Sequence, residues 1–377
     1  MTNGSNKCFC VTNNKAFSKR KFVFSGHSGK YRNPFFSSSA PLSIAVFLLC
    51  VGCLMTGHAA QTLNAAPQTP AIEKPTIDDL VLIPTGEFIM GDDKVEKSNM
   101  AGEFGNVKPW YLDEHPKHKV KLPAYYIEEH EVTNEQYLAY VTAFNISPPD
   151  NWLTSGYILR LRTNALNTLS LDKLQQLAAN VFRIDKDTRR MSKEELIKDI
   201  KDKLQSMDNL PVTYVTWQQA SNYCRWIGLR LPTEEEWEKA ARGPDGQQFP
   251  WGNEFKKHMA NTGAEQWETG VAPIESYPTD KSPYGIYDLA GNVSEWTADW
   301  YKPYPGSDYN SELFGEKFKV ARGAGWSGGE GHYALQLFQR GAYRSNLEPE
   351  QKYDDVGFRC AADDSPEIHA RISHTHK

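Results

Sequence analysis

The chain has 377 residues, 42 Lys and Arg against 47 Asp and Glu, a formal net charge of −5 and 40% hydrophobic residues. That apolar share supports a sizeable core, and the mildly acidic balance without any basic block excludes the electrostatic footprint of a nucleic-acid binder. Tyr 18, Phe 17 and Trp 10, together with Gly 27 and Pro 22, point to an aromatic-rich domain with many turns.

At the start of the chain, Lys19, Arg20, Lys21, Lys30 and Arg32 precede an apolar run at 41–55. This run is short for a membrane span and reads as the core of a signal peptide, with Gly57, Ala59 and Ala60 offering a cleavage site. Residues 1–60 are therefore expected to be an export leader, and the protein to be periplasmic or secreted. The long basic stretch is compatible with a start codon downstream of Met1. Val51, Gly52 and Cys53 resemble the end of a lipobox, although Cys50 stands where Leu is usual, so lipid anchoring at Cys53 is the alternative. Membrane contact is expected only through an uncleaved signal or that anchor. Gln, Pro and Ala dominate much of 61–79, as in a flexible linker.

Residues 80–91 read as a strand pair entering a turn at Pro84, Thr85 and Gly86, followed by a polar loop to 113. His115 and His118 are three apart, but Pro116 disfavours a helix and no neighbouring Cys or clustered His completes a metal site. Residues 120–127 alternate like a strand. Thr133 begins a short helix, with Gln136 placed for a capping box. Between 145 and 209 two amphipathic helices are expected, one capped by Ser170 and one opened by Ser192 with Glu195. Their apolar faces should cover each other or the main domain, and a docking surface is the alternative. A helix over 216–227 turns Ala220, Tyr223, Cys224 and Ile227 inward, and a further helix starts at Thr233 and stops at Gly243. The tail after Asp363, with His369, His374 and His376, is expected to be disordered.

The densest stretch is 284–300, where Asp288 and Glu295 bracket Gly291 and Asn292. A turn exposing carbonyls between two carboxylates can surround one hard cation, and calcium favours such a mixture. The plainer alternative is that Asp288 caps a turn and Glu295 faces water. Of six cysteines only Cys224 and Cys360 lie beyond the leader. In an exported domain they suggest one disulfide, the alternative being two buried apolar thiols.

Ordered blocks carry a family resemblance. They are Leu82 to Gly91; Glu114, Pro116, His118 and Val120; Glu131, Val132, Thr133 and Asn134; Arg230 to Glu234; Gly291, Asn292, Val293, Ser294, Glu295 and Trp296; Arg322 and Gly323; and Gly357, Phe358, Arg359 and Cys360. Together they resemble the formylglycine-generating enzyme, or sulfatase-modifying factor, family. The resemblance implies an α+β, irregular and loop-rich fold, related to C-type lectin-like domains, over 80–362 with a helical insertion at 145–209. It also implies structural calcium at Asp288, Glu295 and the carbonyls of Gly291 and Val293, with Asn261 and Thr262 as part of a second site. Cys224 and Cys360 stand at positions bridged in some relatives.

Catalytically competent relatives bind copper through two thiols shortly after an Arg-Gly-Gly-Ser-type motif. This chain has no cysteine between Arg322 and Tyr333: Gly328 stands at the first thiol position, and His332 or Tyr333 near the second. Soft Cu(I) wants thiolate or thioether ligands, so copper is not expected and the standard oxidase mechanism is excluded. The resemblance places Trp326, His332 and Arg344 along a client groove. An accessory or maturation factor holding a peptide or protein client, such as an exported enzyme, is then expected. A calcium-dependent lectin-like binding module and an oxidoreductase with a rebuilt non-thiol metal site are the alternatives.

Overall fold

The computed structural model describes residues 76–77, 79–97, 111–263, 267, 270–328 and 335–375, and all of these except Glu96 and Lys97 belong to one unit. The expected leader, its cleavage site, Cys53 and most of the linker lie outside the described residues. Within the linker, however, Ile77 is buried in the core and the Asp79 carbonyl accepts from the Glu129 N–H at 2.8 Å, so the folded unit begins before residue 80. No helix among the described residues is long and apolar enough to cross a membrane.

The first four strands are β1 (Leu80–Ile83), β2 (Gly86–Met90), β3 (His118–Leu122) and β4 (Tyr125–Glu128). The strand pair expected at 80–91 does not form between its own halves. β1 pairs antiparallel with β4, Leu80 opposite Glu128, and β2 pairs with β3, Gly86 opposite Leu122. Pro84 has no N–H to donate, and the Thr85 hydroxyl donates instead to the Leu122 carbonyl at 3.1 Å, so the chain changes sheet here. Pro123 likewise divides the alternating stretch 120–127 into the ends of β3 and β4.

The capping signals read from sequence are all present. α1 (Asn134–Phe144) opens on the Thr133–Gln136 box, and its chain leaves through Asn145 in the left-handed region at φ 49°. In the insertion, α2 (Leu171–Gln176) is capped by Ser170 and α3 (Lys193–Ser206) by the Ser192–Glu195 box. Leu196, Ile200 and Leu204 of α3 are at most 1% exposed and join the same core as Tyr137, Tyr223 and Phe358. Burial of each such side chain contributes about 2 kcal/mol. Polar contacts fasten the insertion further. The Trp152 indole donates to Asn134 at 2.8 Å, and Tyr157 and Arg160 both bind Asp208, at 2.6 and 2.7 Å. The apolar faces of the insertion are thus part of the main core, and its charged back faces outward.

After the insertion come α4 (Trp217–Trp226) and α5 (Glu234–Arg242), then β5 (Ser294–Trp300), β6 (Lys319–Arg322), β7 (Arg344–Leu347), β8 (Val356–Gly357) and β9 (Ala361–Asp363). β9 completes the order β1-β4-β9, and a four-stranded sheet runs β7-β6-β5-β8 with β5 and β8 parallel. Long loops and mixed sheets with helices make the unit α+β. A disulfide joins Cys224 of α4 to Cys360, with Cα atoms 5.6 Å apart.

The tail differs from the expectation of disorder: Pro366–Thr375 forms helix α6. Ile368 is buried at 5% against the main core, and the Arg371 guanidinium donates to the Ile227 carbonyl at 2.6 Å. A cation thereby meets the orphan carbonyls at the end of α4.

Candidate functional site

The central turn is held by its apolar residues. Ile286, Leu289, Ala290, Val293 and Trp296 are all buried, and they draw the polar residues between them into the interior. Asp288 and Asn292 both adopt left-handed backbone, φ 59° and 67°, a conformation that short polar side chains tolerate. The Asp288 carboxylate accepts from the Glu275 N–H at 2.8 Å. Glu295 does not face water. Arg359 grips it bidentately at 2.6 and 2.7 Å, and the Trp237 indole donates to it at 2.8 Å, with both charged side chains fully buried.

Two further carboxylates, unmarked as site residues in the sequence, surround this pair. Asp280 accepts from the Ala290 N–H at 2.9 Å, and Glu131 accepts from the Asn292 amide at 3.2 Å. Asp280 Oδ1 and Glu131 Oε2 have no hydrogen-bond partner among the described residues. Burial pushes both acids well above the usual carboxylate range, with Asp288 the largest neighbouring charge acting on each. Burial likewise raises Asp288, from 3.8 to about 6. Four acids, Glu131, Asp280, Asp288 and Glu295, therefore face one guanidinium, and unpaired charge of this kind is costly in an interior. Among the described residues no three of these side chains converge as a metal-ligand cluster, so a cation here would rely on Asp288, Glu295 and main-chain carbonyls, hard oxygens that suit calcium rather than a soft metal. A cation at Glu295 has to share that carboxylate with Arg359.

The residues expected at the second cation site are bound to backbone. Asn261 donates to the Gly270 carbonyl at 2.9 Å and to Asn292 Oδ1 at 3.1 Å, and accepts from the Gly263 N–H at 3.2 Å. Thr262 is buried beside it. Residues 264–266 and 268–269, which follow them, lie outside the described residues.

Of the three residues expected along a client groove, Trp326 and Arg344 are described. The Trp326 N–H donates to the Asn292 carbonyl at 2.8 Å and its indole to the Asp354 carbonyl at 3.2 Å, while the ring stays partly exposed. The ring lies so close to Gly270 that a Cβ there would sit 2.3 Å from Cε2. His332 falls outside the described residues. Arg344 is not at the surface: it is 2% exposed, bound to Glu234 at 2.6 and 2.9 Å and to the Asp113 carbonyl at 2.7 Å. Its guanidinium belongs to a buried network in which Arg322 also binds Glu234 and Glu238, at 2.9 and 2.6 Å. Burial works to raise Glu238, yet Arg322 and Arg242 overcome it and hold that acid below its usual range. Arg344 is therefore taken up by buried partners and does not present its guanidinium to a client.

Where relatives carry the last serine of their Arg-Gly-Gly-Ser motif, this chain has Gly325, and the structure shows what fills the space. The half-buried Asp355 carboxylate lies 2.8 Å from the position a Cβ would take, and it accepts a short hydrogen bond from the Ser327 hydroxyl.

Comparison with known proteins identifies the family. The profile of the sulfatase-modifying factor enzyme 1-like domain matches residues 65–364. The formylglycine-generating enzyme of Streptomyces coelicolor is 31% identical over 324 residues, 82% of this chain and 97% of that protein. The inactive C-alpha-formylglycine-generating enzyme 2 of Mus musculus is 41% identical over 167 residues, 41% of this chain, and the match spans about half, 49%, of that relative. Among solved structures, PvdO from Pseudomonas aeruginosa superposes with a TM-score of 0.48 at 23% identity, covering 77% of this chain and 97% of PvdO. With its domain matched nearly from end to end, the chain belongs to the sulfatase-modifying factor family.

Proposed function

We propose that this protein is an exported accessory or maturation factor of its family, which holds a peptide or protein client without oxidising it. One observation carries the reading: no thiol is left for copper. Residues 322–333 contain no cysteine, and beyond the expected leader Cys224 and Cys360 are joined to each other. Relatives described as inactive at up to 41% identity support the same view. Trp326, fixed from behind by Gly270 and Asp354, would give the client an aromatic surface.

Calcium is proposed as the structural cation of the central turn, through Asp288, Glu295 and the carbonyls of Gly291 and Val293. Its support is the excess of buried carboxylate over cationic charge around Asp288. The bound ion would offset that charge and hold the turn, and the chain's own residues would present the client.

The activity test is incubation of copper-treated protein with a Cys-x-Pro-x-Arg peptide, read by mass spectrometry. The unmodified peptide is the expected product. Formation of its aldehyde would show that another ligand set has replaced the thiols and would overturn the accessory reading.

A further inference from the structure

We propose that Asn292 is a positioning residue that fixes Trp326, and with it the floor of the groove; the importance of this role rests on the reading of Trp326 as a client contact. Asn292 is 1% exposed and meets four separate segments of the chain. Its N–H donates to the Asn261 carbonyl at 2.8 Å, and its carbonyl accepts from the Trp326 N–H at 2.8 Å. Its side-chain oxygen accepts from Asn261 Nδ2 at 3.1 Å and from the Ala272 N–H at 2.9 Å. Its side-chain nitrogen donates to Glu131 at 3.2 Å and to the Ala272 carbonyl at 3.3 Å. A primary amide has two donors and two acceptor sites, so its capacity here is filled.

These contacts converge on one aromatic side chain. Asn292 grips both ends of the segment from Asn261 to Ala272, and that segment shapes the seat of Trp326. A Cβ at Gly270 would sit inside contact distance of the indole, and one at Gly263 would come 2.8 Å from the Trp326 carbonyl. Asn292 then takes the Trp326 N–H directly. The ring has one further polar tether, the Asp354 carbonyl at 3.2 Å, which leaves its main-chain position to Asn292. The two carbonyls proposed for calcium, those of Gly291 and Val293, flank the same residue. Asn292 thereby joins the central turn to Trp326, its main-chain carbonyl taking the Trp326 N–H and its side chain holding Asn261 and Ala272.

Hydrogen exchange on the whole protein tests this without any client. Asn292→Asp keeps the size of the side chain, removes its two donors and sets a carboxylate against Glu131. Exchange of the Trp326 amide should become about tenfold faster, the scale of one lost hydrogen bond, while amides of β4 and α4 keep their rates. Adding Glu131→Gln returns a donor to the pair, and most of the protection should return with it. An unchanged Trp326 amide, or acceleration spread evenly over β4 and α4, would overturn the proposal. Should Asn292→Asp fail to fold, the wild-type protein decides. In rising sub-denaturing urea, the Asn292, Ala272 and Trp326 amides should open as one unit, and separate opening would overturn the proposal. A client found to bind away from Trp326 would instead sink the groove reading and leave these exchange results untouched.

Discussion

At the scale of single residues, the interior of the central turn is governed by unbalanced carboxylates. Arg359 is their one guanidinium, and it also donates to the carbonyls of Glu128, Glu129 and Tyr287 at 2.8–3.1 Å. Arg359→Ala would remove the guanidinium that grips Glu295, so urea unfolding in chelator should register a loss of about 3–5 kcal/mol. Asp288 supplies a pH dependence whose sign follows from its raised pKa. The folded protein holds that proton more tightly than the unfolded chain. This contribution is therefore fully present below 3.8 and is lost as pH rises through about 6. In chelator, Asp288→Asn should match the wild type near pH 3.5 and exceed it at pH 7.5 by up to about 3 kcal/mol. Parallel stability curves across that window would show that Asp288 is ionised at no cost. Calcium should act in the opposite sense on the wild type. At a hundredfold excess over its dissociation constant it adds about 2.7 kcal/mol at pH 7.5, and an unchanged melting temperature on chelation would remove the ion from the account.

At the scale of elements, helices are fixed by local chemistry and then by the crosslinks between them. Ser192→Ala removes one half of the box that opens α3, where Ser192 and Glu195 satisfy each other's backbone N–H groups at 2.8 and 3.2 Å. The expected loss is about 1 kcal/mol in thermal unfolding. The disulfide closes a sequence separation of 136 residues, for which chain entropy sets an upper expectation of roughly 4–5 kcal/mol. A chain starting at Gln61 retains only Cys224 and Cys360, so thiol titration of it, denatured but unreduced, should find no free thiol. Two thiols per chain would mean that the bridge is absent. Such local signals were legible in sequence because each capping box lies within four residues. The partner of a strand is another matter. β1 turned away from β2 because Pro84 and Thr85 send the chain to Leu122, a residue far along the sequence.

At the scale of the whole molecule, the C-terminal helix closes the unit over α4. Truncation after Asp364 should lower stability by about 2 kcal/mol through loss of the Ile368 contact, with a further loss from the carbonyls that Arg371 caps. Calorimetry of the truncated chain checks this, and an unaltered transition would mean that the helix is only laid on the surface. The sequence by itself determined the family, the absence of thiols between Arg322 and Tyr333, the capping boxes and the apolar faces of the insertion. All of these are properties of residue identity at short spacing. Only the tertiary structure decided that Arg344 is buried against Glu234, that Glu295 is held by Arg359, and that the tail folds. It alone brought Asp280 and Glu131 to Asp288, and Asn292 to Trp326. The physical reason is that buried charges and amides take their partners from wherever the packed core leaves them. Those partners can stand far along the chain, as Glu295 stands 64 residues from Arg359 and Arg344 stands 231 from the Asp113 carbonyl.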